Sequence, residues 1–214
     1  MSGYPVLLRL KDWCCLIVGG GQVARRKVAD LLNAEARVII VSPQIDPVIA
    51  EWEALRLIEV RHQAYTSALL SDLRPRLVFA ATDSQQVNRL VAGDAEALGV
   101  LVNAVNDRDY SSFYNMAVIQ RESLLIALST QGQSPALAAH LKAKIEQMVG
   151  DEYDILAQWM GSKREHVQQM VTEPHKRAVL WQQILASPVL QLIRTGQIES
   201  AHQHFEQLIN EALN

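Results

Sequence analysis

Several classes of protein are excluded by what this sequence lacks. Its 214 residues include only two cysteines, Cys14 and Cys15, and neighbouring side chains on an apparent strand point to opposite faces. We therefore expect reduced packing residues rather than a disulfide framework. A basic excess is missing too, since the formal net charge is −3 and the isoelectric point is about 6.1. A nucleic-acid partner is not expected from this charge balance.

Long apolar runs are also missing. A membrane-spanning helix needs about 20 consecutive apolar residues, and no uninterrupted run approaches that length. The N-terminal stretch MSGYPVLLRLKDW carries charges where a signal peptide would continue its apolar region. We expect no membrane partner, and the default compartment is the cytoplasm. With 49% hydrophobic residues, the chain can nevertheless bury a real core.

The first two thirds of the chain alternate short β-branched runs with amphipathic segments. This pattern predicts a parallel sheet covered by helices. After Tyr110 a further strand is followed by a loop and a helix, for which Ser134 is the predicted cap and Pro135 the first turn. From Asp151 onward, apolar residues recur at helical spacing. The predicted strands cover residues 14–18, 37–41, 77–81, 100–105 and 123–129. The helices predicted between these strands cover residues 23–33 and 86–98.

The stretch CLIVGGGQVARRK, residues 15–27, joins a strand to a helix through three glycines. Gly19, Gly21 and Ala24 have the GxGxxG/A spacing. In that motif the first glycine permits a tight turn, the second lets backbone approach a pyrophosphate, and the small third residue lets helix and strand pack closely. The following helix would present N–H groups and its positive dipole end to the phosphate. In its strand, turn and helix context the stretch predicts dinucleotide binding.

The acidic residue that NAD-binding folds place after the second strand is missing. That end reads Val41-Ser42-Pro43-Gln44, with neither a carboxylate for the ribose nor an arginine for the 2′-phosphate of NADP. Ser42 and Gln44 offer neutral hydrogen bonds, so residue chemistry leaves NAD and NADP open. Polar residues follow two further strands, at 82–84 and 106–109, and ligands of open α/β sheets bind at such strand ends.

Longer stretches of the chain resemble one known family. VGGGxVAxRK, LVFAATDSQQVNRLV and VLVNAVNDRDYSSFYNMAVIQRESLLIALSTQGQSPALAAHLKAKIE resemble, in order and spacing, precorrin-2 dehydrogenase, the dehydrogenase and sirohydrochlorin ferrochelatase module of siroheme synthase. The resemblance implies an α/β fold with a Rossmann-like NAD-binding domain and parallel sheet at residues 1–112. A dimerisation segment at 113–150 and a helical C-terminal domain at 151–214 would follow.

The same resemblance implies a homodimer that oxidises precorrin-2 to sirohydrochlorin with NAD⁺. It leaves open whether Fe²⁺ is then inserted. A fixed metal site is not predicted, because His202 and His204 are two residues apart and do not share a helix face. Cofactor contacts are implied at Gly19, Gly20, Gly21, Gln22, Val23, Pro43, Gln44, Thr82 and Asp83. Substrate contacts are implied at Arg108, Ser129, Thr130, Ser134 and Lys142, with a solvated surface charge as the alternative for each basic residue.

Two positions depart from the family pattern. The family's proposed base is an aspartate closing an N-x-V-D segment, and the matching position here is Asn106, whose amide cannot act as a general base at neutral pH. The adjacent Asp107 substitutes only if the turn points it inward. Our hypothesis is that ferrochelatase activity is weakened while dehydrogenation is retained. Ala139 stands where the family's SPxLAR run has arginine, and His140 and Lys142 are the candidates to compensate.

Two other classes of function remain open. A non-catalytic NAD-binding regulator would keep the glycine turn and lose the catalytic groups, so it predicts NAD binding without precorrin-2 turnover. A tetrapyrrole or metal carrier of the same fold predicts macrocycle binding that does not depend on NAD. The block at 103–150 favours the enzyme, because a bare NAD sensor would not need it.

Overall fold

A computed structural model describes residues 3–213 of the chain. Within them the chain forms seven strands and nine helices, and of these helices none has the length and apolar character that crossing a membrane requires. The strands are β1 (Cys14–Val18), β2 (Arg37–Val41), β3 (Glu59–Arg61), β4 (Leu77–Ala80), β5 (Leu101–Ala104), β6 (Ala117–Gln120) and β7 (Leu125–Leu128). The helices are α1 (Gln22–Asn33), α2 (Pro47–Ala54), α3 (Ala68–Leu73), α4 (Gln85–Ala97), α5 (Pro135–Met148), α6 (Asp151–Met170), α7 (Pro174–Ala186), α8 (Val189–Arg194) and α9 (Ile198–Leu213).

The chain divides into two compact units. The first is Tyr4–Asn115, and the second is formed mainly by residues 116–213. The division at residues 112 and 150 that the sequence suggested stays a prediction, as does the dimerisation role of the segment between them.

The first unit is built on a five-stranded parallel sheet with the order β3-β2-β1-β4-β5. The strand order reverses between β1 and β4, and this switch point is where such sheets open a ligand crevice. Val18 pairs with both Val41 and Ala80, and Ala80 pairs with Ala104. The carboxyl ends of four strands therefore meet at one edge, and the predicted Rossmann-like sheet is confirmed.

Alternate residues of β1 enter two different cores. Cys15 and Ile17 pack with the buried faces of α1 and α2, while Leu16 and Val18 pack with those of α3 and α4. This two-sided burial explains why the central strands are continuous apolar runs. Both cysteines are free, and burial raises the pKa of the Cys15 thiol to about 12. Cys15 is thus a protonated packing residue near neutral pH, as predicted.

The short elements of the first unit were not predicted from the sequence. The strand β3 has three residues, of which only the central Val60 is partly buried, so it shows no readable alternation. Helix α2 does carry start signals, since the Asp46 side chain accepts a hydrogen bond from Val48 N at 3.0 Å and Pro47 occupies its first turn. The predicted strands at 14–18 and 37–41 match β1 and β2 residue for residue.

The second unit combines a two-stranded antiparallel hairpin, β6–β7, with five helices. Leu156, Ile184 and Phe205 belong to the fully buried core of α6 to α9, which confirms the predicted helical tail. The hairpin turn is attached to the start of α6 by two carboxylates. Arg121 Nε donates to Asp151 Oδ1 at 2.8 Å, and Ser123 N donates to Asp154 Oδ1 at 2.7 Å.

Candidate cofactor and substrate site

The glycine turn after β1 requires glycine at two positions for reasons of protein packing alone. Gly19 has φ +118°, and a Cβ there would overlap the carbonyl oxygen of Ala81. A Cβ on Gly20 would overlap the carbonyl oxygen of Gln44. Gly21 differs, because its φ of −87° suits any residue and a Cβ would meet nothing within 4 Å. The protein itself therefore leaves space beside Gly21 that a side chain would enter.

Helix α1 begins at that open space. Gly21 is its N-cap and supplies no side-chain hydrogen bond, and the first turn contains no acidic residue. The first helical bond runs from Arg25 N to Gly21 O at 3.0 Å, so the preceding N–H groups have no partner within the helix. Such N–H groups and the positive end of the helix dipole favour an anion. The turn and the helix start fit the pyrophosphate of a dinucleotide.

The loop after β2 returns to the glycine turn. Asp46 N donates to Gly20 O at 2.7 Å, and Asp46 Oδ2 lies 3.5 Å from Arg25 Nη1. The buried Ser42 hydroxyl donates to Gln44 O at 2.6 Å, so its proton is used within the loop, whereas Pro43 and Gln44 are exposed. Asp46 was not predicted from the sequence because it lies five residues beyond Val41. Its signal was the Asp-Pro pair that starts α2.

The loop after β4 is held by one buried side chain that the sequence analysis did not select. Asn88 Oδ1 accepts from Thr82 N at 3.0 Å, and Asn88 Nδ2 donates to Thr82 O at 2.9 Å. Ser84 caps α4 by accepting from Val87 N at 3.3 Å. Asp83 is exposed at the tip of the loop.

The loop after β5 presents Asn106 in the left-handed conformation, with φ +62°, which asparagine tolerates better than most residues. Its side chain is exposed. The neighbouring Asp107 is buried, and its Oδ2 accepts from Arg89 Nε at 2.8 Å and from Gln85 Nε2 at 3.2 Å. The Arg89 hydrogen bond lowers the pKa of Asp107. Asp107 is thus an ion-paired carboxylate, which makes it a weak proton acceptor.

The structure brings the predicted cofactor residues to one edge of the sheet. The loops after β1, β2, β4 and β5 carry, in turn, Gly19 to Val23, Pro43 and Gln44, Thr82 and Asp83, and Asn106 to Arg108. The individual contacts of these residues with a cofactor or a substrate stay predictions.

The remaining predicted substrate residues belong to the second unit. Thr130 Oγ1 donates to Ser134 O at 3.0 Å, Gln131 N donates to Ser129 Oγ at 3.0 Å, and Leu137 N donates to Ser134 Oγ at 3.1 Å. These hydroxyls shape the loop and cap α5, as was predicted for Ser134. Lys142 lies half-buried on α5. A role for any of the four in substrate binding stays a prediction.

Three family models match consecutive parts of the chain. Residues 6–117 match the family described as "Putative NAD(P)-binding". Residues 121–148 match the central region of sirohaem biosynthesis proteins. Residues 152–209 match the sirohaem synthase dimerisation region. Only the first of these models covers more than half of the chain.

Individual relatives agree with the family models. Over 209 residues the chain is 35% identical to siroheme synthase of Chromobacterium violaceum, covering 98% of this chain and 44% of that protein. It is 37% identical over 201 residues to siroheme synthase of Methylococcus capsulatus, covering 94% and 42%. The chain spans less than half the length of these relatives. The solved structure of SirC, precorrin-2 dehydrogenase, superposes with a TM-score of 0.73 at 26% identity, covering 92% of this chain and 100% of that one.

Proposed function

We propose that the chain, which belongs to the family described as "Putative NAD(P)-binding", is an NAD⁺-dependent precorrin-2 dehydrogenase. Its matches to the central and dimerisation regions of sirohaem synthases support this assignment. The observation that carries the proposal is the space beside Gly21. It lies at the uncapped start of α1 and at the switch point of the sheet, where a dinucleotide binds in this fold. SirC, matched over its whole length, supports dehydrogenation as the activity of this part of the larger siroheme synthases.

The reaction removes a hydride and a proton from the macrocycle, so that precorrin-2 and NAD⁺ give sirohydrochlorin, NADH and H⁺. The bound cofactor supplies the hydride acceptor. The chain supplies the pyrophosphate cradle at the first turn of α1, and the loops after β4 and β5 flank the crevice. Asn106 cannot take up the proton as a base, and Asp107 is paired with Arg89. The proton therefore passes to solvent, and the protein contributes mainly by aligning the two reactants.

NAD⁺ is the proposed cofactor rather than NADP⁺. In this fold an arginine near the end of β2 accommodates the 2′-phosphate of NADP⁺. The Arg25 guanidinium lies beside the Asp46 carboxylate, and Arg61, which pairs in register with Val41, forms an ion pair with Glu59. Both arginines are thus partly neutralised by their own neighbours, which supports the cofactor without the extra phosphate.

Iron insertion is the second activity to consider. Placing Fe²⁺ in sirohydrochlorin releases two pyrrole protons, and a carboxylate base assists that release. Asn106 offers an amide at the exposed tip of the loop after β5. The proposed enzyme accordingly has weak ferrochelatase activity, with Fe²⁺ as a poor second substrate. The match to a dimerisation region supports a homodimer as the working form.

The proposal is tested by anaerobic incubation of the purified protein with precorrin-2 and NAD⁺. NADH absorbance and the sirohydrochlorin spectrum should rise together, with NADP⁺ giving much less of both. Fe²⁺ or Co²⁺ is then added to the same reaction, and metal insertion should proceed little faster than without protein. NAD⁺ binding with no NADH formation would contradict the dehydrogenase and favour a non-catalytic NAD-binding regulator. Macrocycle binding independent of NAD⁺ would favour a tetrapyrrole carrier.

A further inference from the structure

We propose that Arg89 is a positioning residue of this dehydrogenase, which through Asp107 fixes the turn that presents Asn106 to the substrate. The role rests on the proposed function, because it concerns the reaction proposed there. Arg89 lies in the second turn of α4, and the sequence patterns did not select it.

The contact between α4 and the loop after β5 has three parts. Arg89 Nε donates to Asp107 Oδ2 at 2.8 Å, and Gln85, one helical turn earlier, donates to the same oxygen at 3.2 Å. The Arg89 guanidinium also lies 4.8 Å from the centre of the Tyr110 ring, within the range of a cation–π contact. Arg89 thus holds the loop through two of the loop's residues, by the carboxylate of Asp107 and by the ring of Tyr110.

Asp107 is the residue through which this hold reaches Asn106. Its side chain is only 9% exposed, and its backbone N–H donates to Ala104 O at 3.1 Å. Asn106 lies between Ala104 and Asp107, the two residues that this backbone bond joins, and has φ +62°. The left-handed conformation still costs energy in a residue other than glycine, and the contacts that hold the turn offset this cost. The Asp107 carboxylate is therefore a structural anchor, and Asn106 is the residue that is presented.

The same helix also fixes the neighbouring loop. Asn88, adjacent to Arg89, binds both backbone groups of Thr82 in the loop after β4. Helix α4 therefore sets the spacing between a loop proposed to contact the cofactor and a loop proposed to contact the macrocycle. Hydride transfer depends steeply on that spacing, since misplacing reactants by about 1 Å can cost roughly 100-fold in rate.

The experiment compares Arg89→Met, Asp107→Asn and the double variant by steady-state kinetics with precorrin-2 and NAD⁺. We expect Arg89→Met to lower kcat by roughly 10- to 100-fold. The Kd for NAD⁺, measured by calorimetry, should stay within about twofold, because the pyrophosphate cradle is untouched. Adding Asp107→Asn should cost little more, since both substitutions break one interaction. Arg89→Lys, which retains the charge, should recover part of kcat.

Arg76→Met is the matched control. Arg76 also lies over an aromatic ring, 5.0 Å from the centre of Trp13, but it precedes β4 and so lies at the opposite edge of the sheet. Its loss should leave kcat unchanged. Hydrogen exchange gives a readout that needs no turnover, and amides of residues 105–111 should exchange faster in Arg89→Met than in Arg76→Met.

Three results would overturn the role of Arg89. These are a kcat for Arg89→Met equal to that of the wild type, losses that multiply in the double variant, and an effect confined to the KM for precorrin-2. In each of these cases the wild type still turns over and the proposed function stands. A wild type that makes no NADH would instead overturn the proposed function, and the role of Arg89 with it.

Discussion

The side-chain amide of Asn88 forms two hydrogen bonds with the backbone of Thr82. Oδ1 accepts from the Thr82 N–H at 3.0 Å and Nδ2 donates to the Thr82 carbonyl at 2.9 Å. Asn88 is only 4% exposed, so water cannot readily replace either bond. The shape of the loop after β4 is therefore fixed from within α4, six residues further along the chain.

Replacing Asn88 by alanine should destabilise the first unit and weaken NAD⁺ binding. Both Thr82 backbone groups would lose their partner, and an unsatisfied buried group costs about 1–3 kcal/mol. Urea unfolding gives the free energy, and calorimetry gives the Kd. Asn33→Ala, an exposed asparagine near the end of α1, is the control. Equal unfolding free energies for the two variants would contradict this view of the loop.

Gly21→Ala should reduce NAD⁺ affinity with only a small loss of stability, because alanine is a poorer N-cap than glycine. Its φ suits alanine and the added Cβ meets no protein atom, so only a ligand is displaced. We expect a loss of about 1.4 kcal/mol or more in binding, which is roughly tenfold in Kd. Gly93→Ala, at an exposed and equally open position in α4, should stabilise the helix by up to about 1 kcal/mol and leave the Kd unchanged.

Gly19→Ala separates packing from binding at the same turn. Its φ of +118° and the overlap with Ala81 O force a backbone shift, so stability and NAD⁺ binding should fall together. Thermal unfolding with and without NAD⁺ distinguishes the two glycines. A Gly21→Ala protein that unfolds as early as Gly19→Ala would show that Gly21 serves packing.

Asn106→Asp should raise metal insertion and keep the fold. Asparagine and aspartate both tolerate the left-handed conformation found here, so the turn is retained while a carboxylate base is gained. Co²⁺ insertion into sirohydrochlorin, followed spectroscopically, should accelerate relative to the wild type. Asn106→Gly keeps the turn without any side chain and is the control. If insertion and dehydrogenation are both unchanged in Asn106→Asp, the hypothesis of a lost base is wrong.

The second unit should lose stability in acid through Glu152. Burial alone would raise the pKa of Glu152, but hydrogen bonds from Arg194 at 2.6 and 3.0 Å and the nearby backbone outweigh it and hold the pKa below its usual 4.5. Because the pKa of Glu152 is lowered in the folded state, its ion pair contributes fully to the stability of the second unit above pH 4.5. This contribution disappears as the pH falls through the lowered pKa.

Urea unfolding across an acidic pH series, monitored by the fluorescence of Trp159 and Trp181, measures this dependence. Glu152→Gln should be less stable than the wild type at neutral pH and should lose less stability on acidification. Glu199→Gln, an exposed glutamate in the first turn of α9, should follow the wild-type curve. Parallel curves for Glu152→Gln and the wild type would contradict the assigned ion pair.

The parts of the fold that were predictable are those coded by local pattern. The apolar runs of β1 and β2, the Ser134 cap and the helical tail are all legible within a few residues. The short edge strand β3 was not, because its three residues bury one side chain in part and so leave no periodicity.

The parts of the site that were not predictable join distant residues. Arg89 and Asp107 are 18 residues apart, and neither segment contains a sequence pattern that predicts their contact. From the sequence, Asp107 was expected to matter only if it turned inward. Its contact with α4 is a tertiary event, decided by how the helix packs on β4 and β5.

The attachment of the β6–β7 hairpin to α6 has a consequence for the order of folding. A two-stranded ribbon is marginal by itself in water, and the hairpin turn is secured by Asp151 and Asp154 at the first turn of a 20-residue helix. Those carboxylates reach their positions only when α6 has formed on its core. We therefore expect the hairpin of the second unit to become ordered only after α6 has formed, although α6 is synthesised after it.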